Sequence, residues 1–327
     1  MTLRWGILST ARIGVRRVIP AILRTPRCAV VAVTSRDPAR AREVADRFAI
    51  PRVHAGYQAL LDDPEVDAVY NPLPNSLHAP WTVRALAAGK HVLCEKPLAL
   101  DAREAQAMAD AARTAGRVLL EAFMYRFHPQ VERMVALVRE GAVGRPWLVR
   151  AAFTFTVRSP DDIRLRADLG GGGLMDVGCY GVNVSRLVLG EPVWARAAAQ
   201  VEGGVDVRLA ALLGFPGGAA AQVDCGLRAP YRQGVEVVGE EGTITLARPF
   251  QPEEEPTVVH LRRGDEEMPI EIPGTNQYVR MVEHFTACAL DGLPSRFPPE
   301  DAVQNMRAID LIRAAAGLGA PRPGQAS

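Results

Sequence analysis

The chain has 327 residues, 48% of them hydrophobic and 23% charged. At about 100–200 residues per domain that is enough for two cores. Its 38 basic residues balance 37 acidic ones to a formal net charge of +1, so no global field recruits nucleic acid or acidic lipid. No apolar run reaches the roughly 18–20 residues of a membrane span, and no basic-then-apolar leader opens the chain. Five scattered cysteines (Cys28, Cys94, Cys179, Cys225, Cys288) without a CxxC pair argue against a disulfide framework and a zinc site. They suit a reducing compartment, and the cytoplasm is expected.

In chain order, Arg4–Leu8 reads as a short apolar strand and Ile13–Arg24 as a helix. Cys28–Thr34 is a β-branched run suited to a buried parallel strand. Asp37 as cap and Pro38 at the first helical position open a helix to Phe48. A short strand at Val53–His54 and another at Val66–Tyr70 follow, then a helix ending at Gly89 and a strand His91–Cys94. Asp101 and Glu104 resemble a capping box for a helix stopped by Gly116. Val118–Ala122 is the next strand. Repeated βα units of this length predict a doubly wound parallel sheet over residues 1–122.

Beyond that the rhythm changes. A helix Pro129–Glu140 leads to a strand Trp147–Thr156, and Gly170–Gly173 opens a helix to Leu189. From 193 to 272 strands follow without intervening helices, which predicts a large, mostly antiparallel sheet in an α+β domain over 123–327. Its strand Leu209–Phe215 is apolar enough for a dimer interface, or for a central strand covered on both sides. Helices at Tyr278–Leu290 and Pro299–Ala316 close the chain, the second expected to pack back on the first domain. The tail from Gly317 is expected to fray.

The first strand–turn–helix, Gly6-Ile7-Leu8-Ser9-Thr10-Ala11-Arg12-Ile13-Gly14, carries a relaxed dinucleotide pattern, S-x-A-x-x-G. Ser9 and Ala11 are small enough for a pyrophosphate to approach, with Arg12 and Ile13 at the helix N-terminus that would face it. A plain tight turn has the same residues. After the second strand Ser35 and Arg36, with Arg40 beyond, suit a 2′-phosphate and hence NADP rather than NAD. Asp37 is better explained as a cap than as a ribose ligand, and a solvated Arg36 is the alternative. Pro72, Leu73 and Asn75 lie at the end of another strand, where His78 either touches the nicotinamide or caps the following helix. Of the 38 basic residues only Lys90 and Lys96 are lysines. Lys90 reads as a surface cation at a helix end. Lys96, in Glu95-Lys96-Pro97, falls at the carboxyl edge of the sheet, where ligands bind. Asp176 and Tyr180, four apart, would share one face of an otherwise apolar helix, as a site wall or as a structural pair.

GILSTARIG, TSRDPARA, NPLPNSLH, AGKHVLCEKPLAL, EAFMYRFHPQ and GGGLMDVGCYGVN together resemble the glucose–fructose oxidoreductase / inositol dehydrogenase family (Gfo/Idh/MocA), nearly end to end. The resemblance implies a Rossmann domain followed by an open-sheet domain through which members usually pair as dimers. It makes Lys96 and Tyr180 the catalytic pair and Asp176 their organiser. The inositol dehydrogenases have a histidine where Tyr180 stands. The tyrosine branch holds glucose–fructose oxidoreductase, dihydrodiol dehydrogenases and NADP-dependent D-xylose 1-dehydrogenases. A free tyrosine titrates near 10, so using one as a base near pH 7 costs about 4 kcal/mol, part of which a neighbouring ammonium removes. Tyr125, Arg126, Phe155, Arg164 and Asn276 are expected to line the substrate wall. The leading expectation is NADP-dependent oxidation of an aldose at C1. A keto-sugar reductase, a trans-dihydrodiol dehydrogenase and, more distantly, a non-catalytic NADP sensor are the alternatives. The expected partners are a small sugar or polyol and a second copy of the chain, without nucleic acid, membrane or metal.

Overall fold

A computed structural model describes residues 1–319. The chain divides into two compact units, one formed by residues 1–124 with 278–303, the other by 125–277 with the residues from 304 onward. The frayed tail expected from Gly317 lies, beyond residue 319, outside the described residues.

In the first unit six parallel strands, β1 (Leu3–Ile7), β2 (Cys28–Thr34), β3 (Arg52–His54), β4 (Ala68–Asn71), β5 (His91–Cys94) and β6 (Leu119–Glu121), form one sheet in the order β3-β2-β1-β4-β5-β6. Its connecting helices include α1 (Ile19–Arg24), α2 (Pro38–Phe48), α3 (Tyr57–Leu61), α4 (His78–Ala87) and α5 (Ala102–Ala115). Chain order reverses between β1 and β4, and ligands of open α/β sheets sit outside the carboxyl ends of the strands at that point. Local chemistry explains the boundaries. Asp37 accepts hydrogen bonds from the amides of Ala39 (2.9 Å) and Arg40 (3.2 Å), the cap expected from sequence. Asp101 accepts from Glu104 N at 2.7 Å. Glu104, however, reaches back to Leu100 N (3.1 Å), one residue before the cap itself.

Residues 278–303, expected from sequence in the second domain, belong to the first unit because α8 (Gln277–Asp291) packs on β1 and the start of β2 in the parallel sheet. Phe285 packs on the Trp5 indole at 4.8 Å between centroids, Thr286 Oγ1 lies 3.1 Å from Cys28 Sγ, and Asp291 takes two hydrogen bonds from Arg27.

The second unit is built on eight strands, β7 (Pro146–Thr156), β8 (Trp194–Glu202), β9 (Val205–Gly214), β10 (Ala220–Gly226), β11 (Arg228–Gly239), β12 (Gly242–Leu246), β13 (Thr257–Arg263) and β14 (Glu266–Ile272). They run in the order β14-β13-β12-β11-β7-β10-β9-β8, antiparallel except for the parallel β7–β10 pair. Helix α6 (Pro129–Arg139) and helix α7 (Cys179–Leu189) belong to this unit, as do the last turns of α9 (Pro299–Ala315). One face of the sheet is covered and the other open. Along β9, Leu209, Ala211 and Leu213 are buried while Arg208, Ala210 and Leu212 are exposed, so among the described residues this strand is not covered on both sides. A concavity of about 580 Å³ opens on this unit, with Ala198, Ala210, Arg208, Asp224 and Arg232 among its lining residues. No helix among the described residues is long and apolar enough to cross a membrane.

Candidate active site

At the carboxyl edge of the parallel sheet the fingerprint turn is held by its own side chains. Ser9 Oγ accepts from Ala11 N at 3.0 Å, and Thr10 Oγ1 lies 3.2 Å from Ser35 Oγ, tying the turn to the end of β2. The helix that follows opens on a wide π turn, Gly14–Val18, before α1 begins. A Cβ at Gly14 would stand 3.3 Å from the Tyr70 ring on β4, so glycine lets helix and sheet close up, as this position of a dinucleotide fold requires. Arg12, Arg36 and Arg40 are exposed and hold no ion pair among the described residues. Small turn, close helix and uncommitted guanidinium groups fit a phosphorylated dinucleotide.

Behind this edge lies a buried polar brace. Tyr70 donates its hydroxyl hydrogen to Glu95 Oε1 at 2.7 Å, and Lys96 N donates to Glu95 Oε2 at 3.2 Å. Burial and the negative charge of Glu95 push the Tyr70 phenol well above its usual range, so it stays a donor. Glu121, at the end of β6, accepts from Leu98 N at 2.8 Å and holds the chain beyond Lys96-Pro97, whose peptide bond is cis. Lys96 itself is half-buried.

Two sequence expectations are corrected here. His78 neither caps α4 nor presents a free ring nitrogen: it is fully buried, Nδ1 2.8 Å from Pro97 O and Nε2 2.8 Å from Leu73 O. Burial, helped by the positive charge of Lys96, lowers its pKa to about 4. The neutral ring donates to one carbonyl and braces the Pro72–Leu73 loop against Pro97. Lys90 is not a surface cation. It is 8% exposed and its Nζ donates to Asp63 O (2.8 Å) and Val66 O (2.7 Å), because the helix end turns it under the loop before β4.

In the second unit Asp176 and Tyr180 do not stand on one continuous α-helix. Leu174–Gly178 forms a second π turn ahead of α7, with Cys179 N bonded back to Leu174 O, so the spacing of 3.6 residues per turn starts only after Asp176. Asp176 Oδ2 accepts from Arg164 Nε at 2.7 Å, and Arg164 also bonds Asp162. The two carboxylates, Asp176 foremost, hold the guanidinium firmly charged, and it lies 5.8 Å from the Phe155 ring. Tyr180, 3% exposed, stands among Tyr125, Phe153 and Phe250 at centroid distances of 5.6, 5.5 and 5.2 Å. Tyr125 is fully buried and donates its hydroxyl hydrogen to Asn183 Oδ1 at 2.6 Å.

Of the five residues expected to line the substrate, Arg164 and Phe155 are thus joined to Asp176, and Tyr125 to Tyr180. Arg126 is 2% exposed, and Asn276 is committed to Glu254 at 2.8 Å.

The comparisons with known proteins agree with this geometry. Residues 3–123 match the model of the GFO/IDH/MocA oxidoreductase family, NAD-binding Rossmann fold, and residues 131–245 match the GFO/IDH/MocA C-terminal domain. The chain belongs to the Gfo/Idh/MocA oxidoreductase family.

A D-xylose 1-dehydrogenase (NADP(+)) of Haloferax volcanii is 42% identical over 97% of this oxidoreductase and 98% of its own length. A trans-1,2-dihydrobenzene-1,2-diol dehydrogenase of mouse is 34% identical over 78% and 77%. Among solved structures, a 3-ketoreductase from Actinomadura kijaniata in complex with NADP and TDP-benzene superposes with a TM-score of 0.91 at 36% identity, covering 97% of this chain and 98% of that one.

Several residues of this oxidoreductase's site lie outside the sequence expectations. Phe153 is within reach of them, since strand alternation puts it on the face of Phe155. Phe250 lies in a loop without periodicity, its backbone pinned by the Gln233 and Gln277 amides. Tyr70 and Glu121 act through partners in the loop that follows β5, Glu95 and Leu98, and no motif spacing reveals that.

Proposed function

We propose that the chain is an NADP-dependent dehydrogenase that oxidises a sugar at a CH–OH carbon, an aldose at C1 in particular, giving the lactone. The observation that carries this reading is Lys96. In a chain with two lysines, one is buried for structure and the other stands at the ligand-binding edge of a parallel sheet, in a loop braced by Glu95, Glu121 and His78. The D-xylose dehydrogenase relative supports the substrate class. Arg36, with Ser35 and Arg40, would take the 2′-phosphate; the turn Ser9–Ile13 would take the pyrophosphate; Pro72, Leu73 and Asn75 would flank the nicotinamide side.

NADP⁺ supplies the hydride acceptor. Tyr180, as the phenolate that the Lys96 ammonium would stabilise, takes the proton from the substrate hydroxyl as hydride leaves its carbon and the C=O bond forms. Lys96 also offsets the negative charge that develops transiently on the substrate oxygen, and the Tyr180 proton passes on to solvent to restore the phenolate. Asp176, held by Arg164, orients the substrate against the aromatic wall of Phe153 and Phe155.

The test is a fluorescence titration with NADPH and NADH, followed by an NADP⁺-linked assay across aldoses beside a dTDP-keto-sugar and a dihydrodiol. Tight NADPH binding and aldose turnover are expected. Equal binding of NADH removes Arg36 as a phosphate ligand, and turnover of the keto-sugar alone moves the reading to the ketoreductase that the Actinomadura structure favours. We also read the open face of the second unit's sheet, with exposed Ala210 and Leu212, as the surface of a homodimer, and five free cysteines as suiting the cytoplasm.

A further inference from the structure

A buried carboxylate outside the residues named above faces the helix that carries them. Asp206, on β9, is 3% exposed and accepts from Leu174 N at 2.7 Å, at the first residue of the π turn that holds Asp176. The glycine run exists in part to admit it. A Cβ at Gly172 would fall 2.3 Å from Asp206 Oδ1, and one at Gly173 would fall 3.1 Å from Oδ2. Gly172 also has φ +123°, which side chains rarely adopt, and its amide donates to Arg164 O at 2.9 Å. One carboxylate therefore fixes where the Gly run ends and where the Asp176–Tyr180 segment begins, while the same run fixes the backbone of the arginine that engages Asp176.

We propose that Asp206 is a positioning residue for the reaction: its ionised carboxylate clamps the first turn of the helix bearing Asp176 and Tyr180, and protonation releases that turn. This rests on the catalytic reading of Tyr180 given above. An ionised carboxylate at a helix N-terminus holds amides more strongly than its acid form, through charge-assisted bonds and the helix dipole. Burial pushes the Asp206 carboxyl up to about 6, against the pull of the Leu174 and Gly173 amides and of the Arg313 guanidinium on α9. The Cys225 thiol on β10 also faces it, and Asp206 raises the pKa of that thiol further. The clamp therefore opens within a pH range the enzyme can be assayed in.

The experiment compares the parent enzyme with Asp206→Asn, which keeps an acceptor and cannot titrate, and with Asp206→Ala. In the parent, kcat falls with a one-proton slope below about pH 6, and amide exchange at Leu174, corrected for intrinsic rate, accelerates over the same range. In Asp206→Asn both pH dependences disappear; in Asp206→Ala kcat drops about tenfold or more at every pH, with NADPH binding unchanged. An Asp206→Asn enzyme that keeps the acid limb and the parent's Leu174 exchange profile overturns the proposal. If Asp206→Ala fails to fold, Asp206→Asn alone decides. Tyr180→Phe is run in parallel: if it retains turnover, the catalytic reading fails, and Leu174 exchange still judges the clamp.

Discussion

The two lysines show what residue-level reading reaches. Both stand out by scarcity, and the motif and sheet edge pick out Lys96. Lys90 escapes because its partners are backbone carbonyls, at Asp63 and Val66, which no sequence pattern marks. The two make opposite predictions. Lys96→Met abolishes turnover and leaves NADPH fluorescence titration largely intact; retained turnover removes Lys96 from the mechanism. Lys90→Met leaves two buried carbonyls without their donor, and unfolding in urea should show a loss of about 1–3 kcal/mol with kcat preserved. His78 is half legible: its place in the chain puts it at the sheet's ligand edge, but the carbonyls of Leu73 and Pro97 that take up its ring come from loops whose approach only the fold determines.

At the scale of elements, strands and helix caps stand nearly as the sequence implies. Asp37 is an example, and Asp37→Ala should cost about 1 kcal/mol in thermal unfolding. What escapes is a change of helical pitch. Both helices that carry the candidate site open on π turns, at Gly14–Val18 and Leu174–Gly178, and a reading that assumes 3.6 residues per turn throughout does not anticipate either of them. The glycines before the second turn are legible as a break, but not as room for a carboxylate. Gly172→Ala meets both a forbidden φ and the Asp206 oxygen. It should lower kcat far more than it weakens NADPH binding, and a variant with normal kcat would show that the loop has another way to settle.

For the whole molecule, three histidines decide the response to acid. Burial, the leading cause for each, lowers His78, His91 and His128 from 6.5 to about 4. Between those values the unfolded chain binds more protons than the folded one, so stability falls as the pH drops through that window. Asp206 acts oppositely, since its folded pKa lies above its unfolded value and protonation relieves it over much of the same range. Glu104 and Asp224, raised by burial, act as Asp206 does, and His284, lowered by burial, acts with the other histidines. A tenfold change in proton affinity is worth about 1.4 kcal/mol at any one group, so the three histidines displaced furthest set the sign. Calorimetry should find the melting temperature falling steadily from pH 6.5 to 4, and a flat profile would mean that these rings are wetter than their burial implies. The βα rhythm and the later run of strands make both architectures legible. The assignment of residues 278–303 is not, because an amphipathic helix does not say which core it covers.

That helix has a consequence for how the protein is made. The parallel sheet lacks Phe285 over Trp5, and Asp291 beside Arg27, until residues far downstream have been synthesised. At about 5–20 residues per second the ribosome delivers them many seconds after β6 has emerged. The first unit to leave the ribosome is therefore among the last to be finished, and in that interval its exposed apolar flank is a natural place for a chaperone to hold.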